Sequence, residues 1–187
     1  MSTLKTTNIT HGSNSGTANM VLASDGGVTF ATPPGLFSSY AIICDQKAAD
    51  TLGGASVANT WTTRDLNTEI ADPDSIVSIS SNQFTLGAGN YLIKWHSPFF
   101  YTQRVVTRLY DVTNSAVKQY SQAGFIPGSS GDVVQIDGYA RITPTGSTAY
   151  KIEYYADNGG DNDGTGIDTP DDVSVNIYTV VEIYKEA

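Results

Sequence analysis

The stretch Asn90-Tyr91-Leu92-Ile93-Lys94-Trp95-His96 decides the fold class of this sequence. Tyr91, Ile93 and Trp95 fall on one face of an extended strand, and the residues between them fall on the other. An apolar residue at every second position is typical of a strand that is buried on one side. The stretch therefore predicts a core strand of a sheet protein.

The same period of two recurs on both sides of this stretch, in short segments separated by Gly, Pro, Asn, Asp and Ser. Helix signals are nearly absent. Strands are predicted over residues 40–45, 75–80, 104–112, 133–142, 150–156 and 173–185. We predict an all-β protein, a β-sandwich of the jelly-roll type.

The last predicted strand, residues 173–185, is apolar on both of its faces. Valine and isoleucine occupy the first face, and strict alternation places Tyr178, Val180 and Tyr184 together on the second. A strand with two apolar faces is normally covered on both sides. We therefore expect both faces of this strand to be buried against other structure.

The composition excludes several classes of protein. Charged residues make up 16% of the 187-residue chain and aromatic residues 10%, a balance too apolar for a disordered protein. The net charge of −9 disfavours binding to nucleic acid or to an anionic membrane surface. A single cysteine, Cys44, allows no internal disulfide and no cysteine-based zinc site.

No segment approaches the run of about 18 apolar residues that membrane insertion by a helix requires. The first residues also lack the apolar core of a secretory signal. We expect the chain to fold in a reducing cytoplasm, without covalent cross-links.

The first 36 residues differ from the rest of the chain. Residues 1–19 are polar, and the apolar segments 18–23 and 27–31 flank Ser24-Asp25-Gly26, a strong hairpin turn. Thr32-Pro33-Pro34-Gly35 then makes a stiff break.

This pattern divides the chain into an N-terminal arm, residues 1–36, and a globular domain, residues 37–187. An isolated hairpin is only marginally stable in water. Two arrangements remain open: the arm folds back onto its own domain, or it is a stalk that neighbouring chains hold in place.

A longer spacing pattern surrounds the decisive stretch. Leu66, Asp72, Val77 and Phe84 precede Gly89-Asn90-Tyr91-Leu92-Ile93-Lys94-Trp95. The pattern resembles the signature of the C1q/TNF-like superfamily, which also ends in an aromatic residue, a short turn and Gly-x-Tyr-x-apolar-x-aromatic.

Four further segments strengthen this resemblance because they follow in the expected order: residues 61–68, 108–113, 138–142 and 178–185. Together they resemble small C1q-like virion proteins, of the fibre or knob type, that occur in tailed and especially marine bacteriophages. The resemblance covers most of the chain from about residue 40 onward, and the arm is matched more loosely.

The resemblance implies a ten-stranded jelly roll that assembles as a homotrimer, with its last strand near the threefold axis. Tyr178, Val180 and Tyr184 are the residues that we expect at the trimer interface. The resemblance also implies that residues 1–36 anchor the protein to the virion, through a tail protein or the major capsid protein. The expected location is the virion surface, after folding in the host cytoplasm.

The sequence lacks the groups that common enzyme sites need. Gly12-Ser13-Asn14-Ser15-Gly16 carries Asn14 where a serine hydrolase needs its nucleophile. His11 and His96 are the only histidines, and they do not have metal-ligand spacing. We predict that the protein is not an enzyme.

An acidic loop is the one dense cluster of potential metal ligands. Asp157, Asp161 and Asp163 lie in Asp157-Asn158-Gly159-Gly160-Asp161-Asn162-Asp163-Gly164, and such oxygen-rich loops suit Ca²⁺. The spacing does not match an EF-hand. The loop is either a Ca²⁺ site or a solvated connection between two strands, and no other cofactor is indicated.

Three functions are compatible with these observations. The first is a phage surface fibre or knob that contacts host-surface glycans, for which Trp61, Tyr101, Tyr120 and the acidic loop are candidate contacts by resemblance to other jelly-roll tips. The second is a capsid cement or decoration protein that stabilises the head. The third is a free carbohydrate-binding lectin module.

Overall fold

The computed structural model describes residues 8–9, 20–22, 27–30, 36–127, 131–169 and 173–187. Every regular element within these ranges is a β-strand. The chain forms two compact units, Met1–Leu36 and Phe37–Ala187. Across the described ranges, no helix is long and apolar enough to pass through a membrane.

The first unit contains a small antiparallel sheet. Its strands are β1 (Asn8–Ile9), β2 (Met20–Leu22) and β3 (Val28–Phe30), and β2 pairs with both of the others. The pairing of β2 with β3 is the one that a hairpin over residues 18–31 requires. The predicted turn Ser24-Asp25-Gly26 and the predicted break Thr32-Pro33-Pro34-Gly35 lie outside the described residues.

The second unit is built from the strands that follow. They are β4 (Phe37–Ala48), β5 (Thr62–Thr63), β6 (Thr68–Ala71), β7 (Val77–Ser80), β8 (Gln83–Leu86), β9 (Tyr91–Phe100), β10 (Arg104–Asp111), β11 (Ala116–Tyr120), β12 (Gly124–Phe125), β13 (Val133–Ile142), β14 (Thr148–Ala156) and β15 (Val175–Glu186).

These strands form two antiparallel sheets. The seven-stranded sheet has the order β11-β10-β14-β8-β7, with β12 beside β10 and β5 beside β14. The five-stranded sheet has the order β13-β9-β15-β4-β6. The two main paths contain five strands each, which together match the ten strands predicted for the jelly roll. The two-residue strands β5 and β12 are additions to this plan. The predicted all-β jelly-roll sandwich is confirmed.

The decisive stretch lies in β9, between β13 and β15. Tyr91, Ile93 and Trp95 are all buried, as the alternation predicts. They belong to the main hydrophobic core between the two sheets. Its other buried members are Ala41, Ile43, Leu66, Val77, Phe84, Leu86, Leu109, Ala140, Ile142, Tyr150, Ile152, Val181 and Ile183.

Trp95 connects the two sheets directly. Its indole Nε1 donates a 2.7 Å hydrogen bond to Oγ1 of Thr107, which lies on β10 of the opposite sheet. Gly138 on β13 is paired with Trp95, and a Cβ at Gly138 would lie only 2.0 Å from Cζ2 of the indole. The large ring therefore depends on the absence of a side chain on the neighbouring strand.

Strand β15 departs from strict alternation. Its pairing with β4 shifts between Ile177, opposite Gln46, and Val180, opposite Cys44, so that β15 contains one extra residue. Such a β-bulge reverses the faces of the residues on either side of it. Tyr178 turns inward, is only 5% exposed and donates a 2.6 Å hydrogen bond to the carbonyl of Thr51. The prediction that Tyr178 shares a face with Val180 and Tyr184 is therefore wrong.

A buried carboxylate closes the turn between β10 and β11. Asp111 accepts hydrogen bonds from the backbone N–H and the side-chain amide of Asn114, both at 2.9 Å, and lies 3.3 Å from Nζ of Lys118. Burial alone would raise the pKa of Asp111, but the bonds from Asn114 and the charge of Lys118 lower it below its ordinary value of 3.8.

We predict that Gly138→Ala destabilises the protein, because the new methyl group overlaps the indole of Trp95. The loss should be about 1–3 kcal/mol in the free energy of unfolding, measured by urea denaturation. Gly87→Ala is the matched control, since nothing lies within 4 Å of a Cβ at that position. Equal denaturation midpoints for the two variants would contradict the packing described here.

We predict that Asp111→Asn lowers the free energy of unfolding at pH 7 by about 1–3 kcal/mol, because hydrogen bonds to a charged acceptor are lost. The folded-state pKa of Asp111 is lowered, so its stabilisation is present above the unfolded-state pKa and disappears as the pH falls through the folded value. Urea denaturation should show the difference from the wild type closing as the pH falls below 3.8. The exposed Asp161→Asn is the control. A difference that persists unchanged in acid would rule out this role of the carboxylate.

Candidate functional site

Four side chains form a cluster, called here the Trp61 cluster, on the outer face of the seven-stranded sheet. Trp61 precedes β5, and its ring centroid lies 5.9 Å from that of Tyr120 on β11 and 5.5 Å from that of Tyr155 on β14. The guanidinium carbon of Arg108 on β10 lies 3.9 Å from the centre of the Trp61 ring. At this distance the cation and the ring attract each other, which holds Trp61 against the sheet.

A buried carboxylate fixes the cation of this cluster. Glu153 accepts hydrogen bonds on Oε2 from Nε and Nη2 of Arg108, at 2.7 and 2.6 Å, and its Oε1 lies 2.7 Å from Nζ of Lys151. Arg108 and Lys151 are thus both paired with the buried carboxylate of Glu153. The charge of Arg108, and that of Lys151 beside the cluster, therefore stabilise the sheet surface.

A groove lies next to the Trp61 cluster, between β11 and β13, the strands that end the two sheets. Its volume is about 360 Å³. Tyr120 contributes to both the cluster and the groove, and Tyr139 borders the groove on the other side. The remaining lining residues are Gln119, Ser121, Gln122, Asp137 and Gly138.

The outer face of the five-stranded sheet carries further aromatic side chains. Tyr184 on β15 is paired with Tyr40 on β4, and its ring centroid lies 5.1 Å from that of Phe37. Its hydroxyl donates a 2.7 Å hydrogen bond to Oε2 of Glu182. This hydrogen bond to the carboxylate, together with partial burial, raises the pKa of Tyr184. Rings and polar groups on this face are therefore already ordered within one subunit.

His96 lies between two carboxylates on the same face. Its Nδ1 is 2.9 Å from Oδ1 of Asp137 on β13, and its Nε2 is 3.5 Å from Oε1 of Glu182 on β15. Val180 is paired with His96 and is half-buried. Of the three predicted interface residues, Val180 and Tyr184 lie on this outer face, whereas Tyr178 is buried inside the subunit.

No protein-family model and no curated protein matches this sequence. Solved structures do match the fold. The globular domain of zebrafish complement 1qA protein is 16% identical, with 79% of this chain and 96% of that chain covered at a TM-score of 0.50. Murine APRIL is 6% identical, with 79% and 98% covered at 0.51, and the Eiger TNF of S. frugiperda is 8% identical, with 80% and 92% covered at 0.52.

The chain has the C1q/TNF-like jelly-roll fold. At these sequence identities the likeness concerns the fold alone, and it confirms the jelly-roll part of the resemblance found in the sequence. Between 92% and 98% of each of these three chains is matched, so the likeness extends over nearly the whole domain.

Within this jelly roll, the three predicted glycan contacts do not form one group. Trp61 and Tyr120 lie together in the cluster, but Tyr101 packs against Phe100, with ring centroids 4.1 Å apart. Tyr101 borders a separate polar cavity of about 310 Å³ beside the acidic loop. Sequence reasoning missed Tyr139 and Tyr155, although the alternation along β13 and β14 places both on outer faces.

The three predicted calcium ligands are not brought together as a metal site. Asp157 forms an ion pair with Arg104. In the part of the chain that the structure describes, no three or more His, Cys, Asp or Glu side chains form a group that could hold a metal ion. The hypothesis of a Ca²⁺ site at Asp157, Asp161 and Asp163 is therefore not supported.

The backbone of the acidic loop is bonded to a distant segment. The carbonyl of Gly160 accepts a hydrogen bond from the N–H of Ser56, and the carbonyl of Asn162 accepts one from the N–H of Gly54, both at 2.9 Å. Ser56 Oγ in turn accepts a 2.6 Å bond from the N–H of Gly160. These hydrogen bonds hold the loop to a segment about 100 residues earlier in the chain.

One buried cation lies apart from these surfaces. Arg64 donates from Nε to Oγ1 of Thr179 at 2.7 Å and from Nη2 to the carbonyl of Thr165 at 2.9 Å. Burial lowers the pKa of Arg64 to about 10. Its Nη1 has no hydrogen-bond partner among the described residues. Arg64 joins β15 to the loop that precedes it, which is a structural role.

Proposed function

We propose that this protein is a non-enzymatic component of a bacteriophage virion: a homotrimeric surface fibre or knob, attached through residues 1–36, that contacts glycans on the host surface. The C1q/TNF-like fold supports the trimer, because the family resemblance implies this assembly. The resemblance to small C1q-like virion proteins supports the location on the virion surface. Folding in the host cytoplasm is part of the same proposal.

The observation that carries the proposal is the outer face of the five-stranded sheet. Tyr40 and Phe37 are 44% and 40% exposed there, beside the half-buried Val180 and Tyr184. Phe37, Tyr40 and Tyr184 adjoin one another, and an exposed apolar patch often marks a contact with another protein. A second and a third copy of the chain are the partners that the family resemblance implies. Obligate interfaces of this kind bury about 2,000 Å² or more and have apolar cores.

The polar groups on this face are compatible with burial in a trimer. The Tyr184 hydroxyl is bonded to Glu182, and His96 contacts Asp137 and Glu182. A polar group that is already hydrogen-bonded loses little when water is removed around it. Covering the Tyr184 hydroxyl and the His96 ring would therefore leave few of their polar atoms unsatisfied.

The arm supports attachment through residues 1–36. Within its described residues, its strands contain two or three residues each. Sheets this small have too little buried surface to be stable alone in water. We infer that the arm gains its stability from neighbouring chains, either the other arms of the trimer or a tail or capsid protein.

The contacts of His96 agree with a non-enzymatic role. A histidine acts as a catalytic base when it lies beside a nucleophile. His96 contacts two carboxylates on an open sheet face, and His11 lies outside the described residues. This arrangement stabilises a surface and supplies no activated hydroxyl or thiol.

We predict that Tyr40→Asp converts the trimer into monomers, because a charge would be buried in the apolar interface. Light scattering during size-exclusion chromatography should give three times the chain mass of 19.9 kDa for the wild type and about the chain mass for the variant. Val57→Asp is the matched control, since Val57 is 48% exposed, close to the 44% of Tyr40, and lies outside the five-stranded sheet. A wild-type protein at the chain mass, or a trimeric Tyr40→Asp variant, would show that the interface is misplaced.

The virion assignment is tested on purified particles of the phage that encodes the chain. We expect mass spectrometry to detect the protein in the particles, and electron cryo-microscopy to show it as a projection from the tail or the head. Density spread over the capsid lattice would assign it instead to the cement and decoration proteins. Particles without the protein would overturn a virion role altogether.

A further inference from the structure

A pocket of about 260 Å³ opens on the outer face of the seven-stranded sheet, and it is called here the Tyr155 pocket. Tyr155 on β14 and Val106 on β10 are paired with each other at its base. No lining residue belongs to the five-stranded sheet. The full lining is Arg104, Val105, Val106, Ala123, Tyr155 and Asp157.

The Tyr155 pocket lies on the side of the sandwich that the proposed trimer does not cover. The trimer covers the outer face of the five-stranded sheet, where Tyr40 and Tyr184 are paired. Two sheets packed face to face turn their outer faces in opposite directions. With the five-stranded sheet toward the threefold axis, the seven-stranded sheet faces away from it. A ligand can therefore reach the pocket in the assembled protein.

The Tyr155 ring is fixed in place and is only half-buried. Its centroid lies 5.5 Å from that of Trp61, and its hydroxyl donates a long hydrogen bond of 3.4 Å to Oδ1 of Asn59. The half-buried Val106 and the exposed Ala123 extend the apolar lining beside it. A fixed and partly exposed ring offers flat contact area at a low cost in conformational entropy.

An ion pair forms the polar side of the pocket. Nε of Arg104 contacts Oδ2 of Asp157, and the backbone N–H of Asp157 donates a 3.0 Å hydrogen bond to the carbonyl of Arg104. The side chain of Arg104 is nevertheless 77% exposed, and that of Asp157 is 28% exposed. The pair therefore presents guanidinium N–H donors and carboxylate acceptors to solvent, next to an aromatic ring.

We propose that the Tyr155 pocket binds an uncharged pyranose residue of an oligosaccharide, with the Tyr155 ring stacked on the apolar face of the sugar. Arg104 and Asp157 hydrogen-bond to neighbouring hydroxyls at the edge of the sugar, since each hydroxyl can both donate and accept. The inference rests on the glycan contact in the proposed function, and it adds the location of the site and the class of glycan.

The charges on this sheet favour a neutral ligand over an acidic one. Every lysine and arginine on its seven strands contacts a carboxylate: Arg104 contacts Asp157, Arg108 and Lys151 contact Glu153, and Lys118 contacts Asp111. A sugar hydroxyl can hydrogen-bond to an ion pair that stays intact. The carboxylate of a uronate or sialate residue must instead compete with Asp157 for Arg104, and Asp157 repels it.

The test is isothermal calorimetry of the full-length protein with hexasaccharides. The uncharged probes are hexamers of glucose, mannose, galactose and N-acetylglucosamine, and the acidic probe is a hexamer of galacturonate. We expect saturable binding of at least one uncharged probe at concentrations up to about 10 mM, and weaker binding, or none, of the acidic one. Tryptophan fluorescence gives a second reading, because Trp61 lies beside Tyr155 and the other tryptophan, Trp95, is completely buried.

Substitutions locate the site. Tyr155→Ala removes the stacking ring, and Arg104→Met keeps an apolar stem but removes the guanidinium donors. Each should weaken binding of the responsive probe about tenfold. Tyr110→Ala is the matched control, since Tyr110 is another half-buried tyrosine of the same sheet but does not line the pocket, and its affinity should match the wild type. Urea denaturation of each variant checks that the domain is folded.

The possible outcomes separate this inference from the proposed function. Unchanged affinity in folded Tyr155→Ala or Arg104→Met, or an equal loss in Tyr110→Ala, overturns the pocket as the site and leaves glycan contact standing. Tighter binding of galacturonate than of every uncharged probe overturns the class of ligand. If no probe binds to the wild-type protein, both the pocket and the glycan contact fail, while the mass and particle measurements still decide the structural role.

Discussion

The hydrogen bond from the indole of Trp95 to Thr107 fixes how the two sheets face each other. It crosses the interior of the sandwich, and the ring that donates it occupies the space left by Gly138 on the adjacent strand. With Trp95 turned inward, the period of two turns Lys94 and His96 outward. The residues paired with them, on β13 and β15, then form the outer face that the proposed trimer would cover. The alternation along β9 thus decides which side chains are available for assembly.

Charged groups in this domain mostly hold structure together. Glu153 pairs with Arg108 and Lys151 beneath the aromatic rings of the outer face, and Arg64 is held by a hydroxyl and a carbonyl inside the domain. These cations therefore act on neighbouring groups of the domain itself, and their charges are balanced or buried within it.

Local periodicity was sufficient to predict the fold class, the inward face of β9 and the position of most core strands, because each depends on residues that are neighbours in sequence. It missed β8, whose Phe84 and Leu86 are buried in the core. The bulge in β15 could not be predicted, since one extra residue between Ile177 and Val180 leaves no mark in composition. The candidate site depends on contacts between residues that are still farther apart in the sequence. Trp61 contacts Tyr120 only because the loop before β5 lies over β10 and β11. Tyr101, in contrast, lies beside the acidic loop. The acidic loop has the composition of a cation site, but its carbonyl groups accept hydrogen bonds from a segment about 100 residues earlier in the chain.

The pairing of β4 with β15 has a consequence for biosynthesis. Phe37 lies opposite Glu186, so the first and the last strands of the domain are neighbours within one sheet. During translation, β4 leaves the ribosome early, and it stays unpaired with β15 until nearly all of the domain has been synthesised. A chain interrupted before residue 175 would expose the edges of β4 and β9, which attract other strands and proteases. Only chains that extend through β15 can close this sheet, so the topology itself distinguishes folded domains from interrupted ones.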